Sequence, residues 1–240
     1  EDGTVVCWGK NLYGEGTVPA NLQEVISVSA GGFHSLALTS NGSLVIWGNN
    51  EYGQSFVPLG LGKLKAADAG YYHTLALRDN GTVVAWGNNE SGQCNVPTGL
   101  SNVIAIRAAD FYSMALKSDG TVICWGKNNF GQSQPPPSLN DAKSIRGMQF
   151  HSGAIKDDGS ILLWGTNSDG QLDIPDGLTS TNLINSDFTN ANLEDSNFIN
   201  ADLRNANFSG ANLKGANFNG AIIDNAIFTN STETNLTGAI

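Results

Sequence analysis

The sequence is poor in positive charge, in cysteine and in long apolar runs, and each shortage removes a class of function. Twelve Lys and Arg stand against 22 Asp and Glu, a net charge of −10. Phosphate backbones and anionic lipids are held by Lys and Arg, so neither nucleic acid nor an acidic membrane surface is an expected partner. No apolar stretch approaches the roughly 20 residues of a membrane-spanning helix. The three cysteines are dispersed. Cys7 and Cys124 each precede a tryptophan, three repeats apart, and Cys94 lies in a loop, which is neither a disulfide framework nor zinc-ligand spacing. A signal peptide is also missing. The chain opens on Glu1-Asp2-Gly3, the middle of a motif that recurs at Asp119-Gly120 and Asp158-Gly159, and its far end stops as abruptly. The expectation is a fragment cut at both ends, with any targeting segment lost.

What the sequence has is repetition. Its five tryptophans, Trp8, Trp47, Trp86, Trp125 and Trp164, are each followed by Gly and stand 39 residues apart. Every copy has the same anatomy. An apolar stretch such as Val103-Ile104-Ala105-Ile106 leads to a small-residue bend with an aromatic, then to Leu36-Ala37-Leu38, Leu75-Ala76-Leu77 or Met114-Ala115-Leu116. Asn41-Gly42, Asn80-Gly81, Asp119-Gly120 and Asp158-Gly159 follow, and suggest two-residue type I′ hairpin turns. A β-branched strand then ends in Trp-Gly. An irregular loop closes the unit, with Asn three residues, Gly six and Pro eleven after each Trp. Short strands, tight turns and a period near 40 indicate the blades of a β-propeller. The five tryptophans are expected to be structural and equivalent.

This pattern resembles the repeat of the regulator of chromosome condensation family over residues 1–178, and the compact Val-Pro loops are most like the bacterial branch typified by beta-lactamase inhibitor protein II. The resemblance implies an all-β propeller, usually of seven blades. Four full copies and half of a fifth are present, so the expected structure is a partial propeller arc.

From Thr181 the period becomes five. Leu183, Phe188, Leu193, Phe198, Leu203, Phe208, Leu213, Phe218, Ile223 and Phe228 follow one another without a gap, each with Ala, Ser or Thr two residues before it. This resembles the pentapeptide-repeat family, whose fold is a short right-handed quadrilateral β-helix with four pentapeptides per coil, expected here over residues 179–240. Stacking of i on i+20 predicts one column of Phe188, Phe208 and Phe228 and another of Phe198 and Phe218. The register slips near Glu233 and resumes at Leu236. Gly177-Leu178-Thr179-Ser180 runs straight into the first pentapeptide with no flexible linker, so the two units are expected to pack directly.

Neither a catalytic constellation nor a cofactor site is expected. His34, His73 and His151 share one column with Tyr112. A metal site on the propeller axis and a structural histidine beside the bend are the two readings, and recurrence with the fold favours the second. Asn167-Ser168-Asp169-Gly170 through Asp173 has a hint of a calcium loop, but it is the fifth copy of the post-Trp segment and lacks spaced acidic ligands. The candidate partner-binding residues are the recurring bend aromatics Phe33, Tyr72, Phe111 and Phe150 and the variable bend residues Tyr71, Asp110 and Gln149, since aromatics are typical binding anchors. In the inhibitor-type propeller the matching loops carry aromatic contacts to the enzyme. Recurring aromatics that pack between blades are the alternative, whereas the variable column is expected to be exposed. Leu12-Tyr13, Glu51-Tyr52 and Asn129-Phe130 belong to a second variable rim. The expected function is a non-catalytic scaffold that binds a protein partner, extracellular or at a bacterial surface by resemblance. An enzyme inhibitor is the alternative. DNA mimicry by the solenoid, with six acidic and two basic residues, and guanine-nucleotide exchange rank below it.

Overall fold

The computed structural model describes residues 3–173, 183–232 and 234–240. The chain divides into two compact units, Glu1–Leu172 and Asp173–Ile240. The expected boundary after residue 178 and the expected packed seam both fall on residues 174–182, outside the described residues.

The first unit holds twelve strands among the described residues, grouped in threes. β1 (Val25–Ala30), β2 (His34–Thr39) and β3 (Leu44–Gly48) form one antiparallel sheet. β4 (Leu64–Ala69), β5 (His73–Arg78) and β6 (Val83–Gly87) form the second, and β7 (Val103–Ala108), β8 (Tyr112–Lys117) and β9 (Val122–Gly126) the third. β10 (Ala142–Gly147), β11 (His151–Lys156) and β12 (Ile161–Gly165) form the fourth. These are propeller blades. The middle strand of each blade lies against the first strand of the next: β2 on β4, β5 on β7, β8 on β10. Thus Leu75 and Leu77 of β5 share a core with Val103 and Ile106 of β7, and Met114 and Leu116 of β8 share one with Ala142 and Ile145 of β10. Each fully buried Leu or Ile contributes about 1.5–3 kcal/mol, so blade-to-blade contact carries much of the stability.

Three local features explain the repeat's spelling. A bulge at the second residue of each first strand (Ile26, Lys65, Ile104, Lys143) breaks the register and turns that side chain outward, which is why apolar Ile and charged Lys both serve there. Glycine after each Trp has φ between 104° and 112° from Gly48 to Gly165, and a β-carbon on Gly87 would lie 2.5 Å from the Tyr72 carbonyl. Only Gly allows the chain to leave the strand there.

The hairpin turns correct the expectation of two-residue type I′ connections. Gly42, Gly81, Gly120 and Gly159 have positive φ, but the preceding Asn or Asp does not. In the first blade Gly42 N donates to Thr39 O (2.8 Å) and Thr39 N donates to Ser43 O (2.9 Å), closing a three-residue loop with Gly in the left-handed position. The Asn or Asp instead turns its side-chain oxygen to the amide two residues on, as Asn41 Oδ1 accepts from Ser43 N at 2.9 Å.

The tryptophans are not equivalent, which corrects a second expectation. Trp47, Trp125 and Trp164 are 9%, 8% and 5% exposed, whereas Trp8 is 87% exposed. Trp125 and Trp164 sit in cores shared between their own blade and the one before it; the described residues provide Trp8 with no such core.

In the second unit, parallel bridges join residues 20 apart, from Asp187–Asn207 to Asn212–Thr232, so four pentapeptides make one coil. The two aromatic columns form as the periodicity predicts. Phe188 stacks on Phe208 at 4.8 Å, Phe208 on Phe228 at 5.0 Å, and Phe198 on Phe218 at 4.9 Å. The columns meet edge-to-face across the interior, Phe198 to Phe208 at 5.6 Å, and interleaved alanines such as Ala201, Ala206 and Ala211 fill the remaining space. Past Glu233 the ladder tightens. Ile240 N bonds Ala221 O, a separation two residues shorter than that of Asn207 N to Ser186 O, while Leu236 and Ala239 rejoin the core.

Candidate functional site

The post-Trp loop is built to a fixed plan. The side-chain oxygen of the Asn three residues after Trp accepts the amide five residues on: Asn11 from Gly16 (2.8 Å), Asn50 from Ser55 (3.0 Å), Asn89 from Cys94 (2.8 Å), Asn128 from Ser133 (3.0 Å) and Asn167 from Leu172 (2.7 Å). The fifth copy is therefore closed like the others, with its Asn engaged by backbone. A second side chain, Glu15, Gln54, Gln93, Gln132 or Gln171, accepts the amide of the residue two before it. That fixes Tyr13, Tyr52, Ser91, Phe130 and Asp169 at the loop tip. The carbonyl of the same Gln takes two donors from the following blade. Gln93 O accepts Trp125 Nε1 at 2.9 Å and Ser113 Oγ at 2.8 Å, and Gln132 O accepts Trp164 Nε1 at 3.0 Å and Ser152 Oγ at 2.7 Å. Loop tips and blade cores are thus tied by one acceptor.

This plan sets each loop tip beside the bend of the next blade. Tyr13 meets Phe33 edge-on at 5.4 Å, Tyr52 meets Tyr72 at 5.0 Å and Phe130 meets Phe150 at 5.2 Å. The bends themselves join across blades. Phe33 contacts Tyr71 at 5.1 Å and stacks on Tyr72 at 5.2 Å, and Tyr71 reaches Phe111 at 5.4 Å. Six rings therefore run continuously over three blades. Lys10 Nζ lies 5.3 Å from the Phe33 ring centre and Lys127 Nζ 5.1 Å from that of Phe111, close enough for cation–π attraction. Burial, then the neighbouring Tyr71 and Tyr52 phenols, raises the Tyr72 phenol above its usual range.

Of the residues picked from the sequence, Phe33, Tyr71, Tyr72 and Phe111 are brought together. Phe150 is paired with Phe130 on the fourth blade. Gln149 is exposed, but Asp110 and Tyr71 are half-buried, so the variable column is not uniformly exposed as expected. The cause is local. Tyr71 lies back on Gly32, where a β-carbon would come within 2.7 Å of its ring. Burial raises the Asp110 carboxyl despite the opposing Lys127. The recurring aromatics are half-buried and touch across blades, so packing and exposure coexist. The rim residues Tyr13, Tyr52 and Phe130 stay exposed. Their variability is visible in the sequence, but their junction with the bends is a 20-residue offset that becomes evident only once blades are stacked.

The histidine column is a link between blades. His34 Nε2 lies 3.0 Å from Thr74 Oγ1 and His73 Nε2 3.1 Å from Ser113 Oγ, each hydroxyl belonging to the next blade. Tyr112 serves in the third blade, its hydroxyl 2.6 Å from Ser152 Oγ. The structural reading of this column therefore holds, with a side-chain hydroxyl of the next blade as the partner. Because Thr74 donates to Gln54 O (2.9 Å), it receives its second bond from the imidazole N–H. Burial lowers His34 to about 4 and His73 to about 3, so both are neutral at pH 7, and Nδ1 of each is buried without a protein partner. Among the described residues no group of three or more His, Cys, Asp or Glu is gathered as metal ligands.

Comparison with known proteins agrees with this geometry. Residues 25–54, 65–93 and 103–132 match the regulator of chromosome condensation (RCC1) repeat, and residues 178–210, 191–230 and 201–240 match pentapeptide repeats. No curated protein matches the chain. Among solved structures, the ectodomain of the Physcomitrella patens receptor kinase CR4 is similar at 26% identity and TM-score 0.57, over 70% of this chain and 48% of that one. Human WBSCR16 is similar at 21% identity and TM-score 0.57, over 69% of this chain and 58% of that one. The chain thus spans about half the length of the first of these. Taken with the four blades and the 20-residue coils, residues 25–132 carry regulator of chromosome condensation repeats in propeller form and residues 178–240 carry pentapeptide repeats.

Proposed function

We propose that this repeat scaffold is non-catalytic and binds a protein partner through the aromatic face of its propeller unit. The observation that carries the reading is the continuous run of Tyr13, Phe33, Tyr71, Tyr72, Tyr52 and Phe111 across three blades, with Tyr13 and Tyr52 exposed at its margin. Large, stiff rings with a polar tip supply contact area at low entropic cost, which suits binding anchors. Lys10 and Lys127 flank the face, so an acidic or carbonyl-rich partner surface is favoured over a basic one. An extracellular setting belongs to the same proposal. It rests on the family resemblance, and the likeness to a receptor-kinase ectodomain is in keeping with it.

Tyr13→Ala and Tyr52→Ala are the cleanest probes, because these rings are exposed and their loss leaves the blade core intact. Each should weaken a captured partner by about 1–4 kcal/mol with little change in melting temperature. A partner retained at full affinity by the double variant would place the interface elsewhere.

A further inference from the structure

The copies of the post-Trp loop differ in how they fill the position two residues after Trp. In the second and third copies it holds Asn49 and Asn88, both buried. Asn49 Oδ1 accepts Gln54 Nε2 at 2.6 Å and the Glu51 amide at 3.0 Å. Asn88 Oδ1 accepts Gln93 Nε2 at 2.7 Å and the Glu90 amide at 3.2 Å. One carbonyl oxygen thus satisfies two donors in each of these loops.

The first, fourth and fifth copies have Lys10, Lys127 and Thr166 instead. Two of these changes are compensated. In the first copy Glu15 stands for the Gln, so no side-chain amide is left over, and its second carboxylate oxygen accepts the Leu12 amide at 3.3 Å. In the fifth the Thr166 hydroxyl accepts the Ser168 amide at 3.4 Å. The fourth copy has no such compensation. It keeps Gln132, fully buried, whose Oε1 is committed to the Phe130 amide at 2.9 Å. That bond fixes which end of the side chain is oxygen, and Nε2 is left buried without a partner. The Asn129 amide, counterpart of those of Glu51 and Glu90, has no acceptor among the described residues either. A buried donor without an acceptor is costly. Lys127 adds a positive charge beside these two donors. Its Nζ lies 5.1 Å from the Phe111 ring centre and forms no ion pair among the described residues.

We propose that Lys127, Gln132 and the Asn129 amide form a site that binds a carboxylate. One carboxylate oxygen takes the place that the Asn49 or Asn88 carbonyl oxygen holds in the other loops and accepts from Gln132 Nε2 and Asn129 N. The Lys127 ammonium, on a flexible four-carbon stem, turns from the Phe111 ring to pair with its charge. A carboxylate suits the site better than a phosphate, because both donors are set for one planar carbonyl-type oxygen. A single cation is at hand, and the half-buried Asp110, close enough to feel Lys127, would repel a dianion more strongly. The site lies in the loop that joins β9 to β10, between two complete blades, and it stands whether or not the aromatic face binds a partner.

The test is an NMR titration of the nitrogen-labelled 240-residue chain at pH 7, with sodium acetate replacing sodium chloride at constant ionic strength. The Asn129 amide and the Gln132 side-chain amide should shift saturably. Lys127→Asn restores the residue of the second and third copies, so it should fold at least as stably as the wild type and lose both responses. Gln132→Glu, which has its precedent in Glu15 beside Lys10, keeps the lysine but fills the site with its own carboxylate, and the Asn129 response should vanish there too. Melting temperatures check that both variants fold. An unchanged acetate response in folded Lys127→Asn would overturn the proposal, as would the absence of a saturable shift in the wild type across the millimolar range. A second titration separates two sources of the same group. A capped Ala-Glu-Ala peptide that binds more tightly than acetate indicates a side chain offered by a protein partner, and one that binds no more tightly indicates a small free acid.

Discussion

The Tyr112 hydroxyl lies 3.0 Å from where a β-carbon on Gly147 would stand. At this step of the repeat the first three blades have Ala30, Ala69 and Ala108, and the column that elsewhere holds His holds Tyr112. The longer Tyr reaches past the histidine position to Ser152 of the next blade and accepts Met148 N at 3.1 Å, so the next blade carries Gly where the others carry Ala. Two departures from the repeat are thus one adjustment.

That coupling can be measured. Gly147→Ala should destabilise the propeller by about 1–3 kcal/mol through overpacking. Combined with Tyr112→His it should cost less than the sum of the single changes, by at least about 0.5 kcal/mol. Because the added methyl would also press on Met114 Sδ at 2.9 Å and Ala109 Cβ at 3.0 Å, the relief is expected to be partial. Strict additivity in urea unfolding would show that the two positions are independent.

The buried histidines set an acid limit on stability. Burial holds His34 at about 4 and His73 at about 3, below their ordinary value near 6.5. The unfolded chain therefore binds protons that the folded chain does not, and the stabilising effect is full above pH 6.5 and falls away as pH drops through about 4 and then 3. Urea unfolding of the wild type between pH 7 and pH 4 should show a steeper loss than the His34→Gln/His73→Gln variant, whose own stability at pH 7 is lower. Parallel curves would mean that both imidazoles are free to protonate in the native state.

Trp8 and Trp125 share a sequence position but not an environment. Trp125 is buried and donates to Gln93 O at 2.9 Å. Its truncation to Ala should cost about 3–5 kcal/mol. Trp8→Ala should change stability by no more than about 0.5 kcal/mol, as an exposed substitution does. Chemical denaturation of the two variants side by side gives the comparison, and a large loss for Trp8 would show that residues 5–8 are docked into a packed blade.

Much of this architecture is legible in the residues because repetition multiplies weak signals. One Asn-Gly or one Trp-Gly says little, whereas the same pair in phase five times identifies a blade. The solenoid columns could be written from the five-residue period alone, since Phe188, Phe208 and Phe228 differ by one coil. What stayed hidden depends on contacts between copies. The histidine partner, Thr74 or Ser113, is 40 residues away. The join of Tyr52 to Tyr72 is a 20-residue offset between loops that no periodicity announces. Trp8 looked like its fellows because a sequence motif does not record whether the rest of its blade is at hand. In the sequence the aromatic face reads as two separate rims and Tyr71 as an exposed tip, because the room that Gly32 leaves for its ring is a contact between blades.

One further signal sits in the pentapeptides, at the second residue after each central Leu, Ile or Phe. It reads Asn185, Asn190, Asp195, Asn200, Asn205, Gly210, Gly215, Gly220, Asn225 and Asn230, and all ten have φ between 54° and 73°. That left-handed corner costs most residues about 1–2 kcal/mol, whereas Gly, and to a lesser degree Asn and Asp, tolerate it. The choice between Gly and Asn is then steric. A β-carbon on Gly220 would stand over the Asn200 side-chain oxygen in the coil below, closer than any normal contact allows. In the column of Asn185, Asn205 and Asn225, by contrast, Asn stands over Asn. Gly220→Ala should therefore destabilise the solenoid by about 1–2 kcal/mol or more, since it combines backbone strain with that contact. Gly220→Asn should cost less, because it keeps a residue suited to the corner and has a precedent one column away. Thermal unfolding followed by circular dichroism would rank the two, and an Ala variant as stable as the wild type would show that the corner relaxes out of the left-handed region.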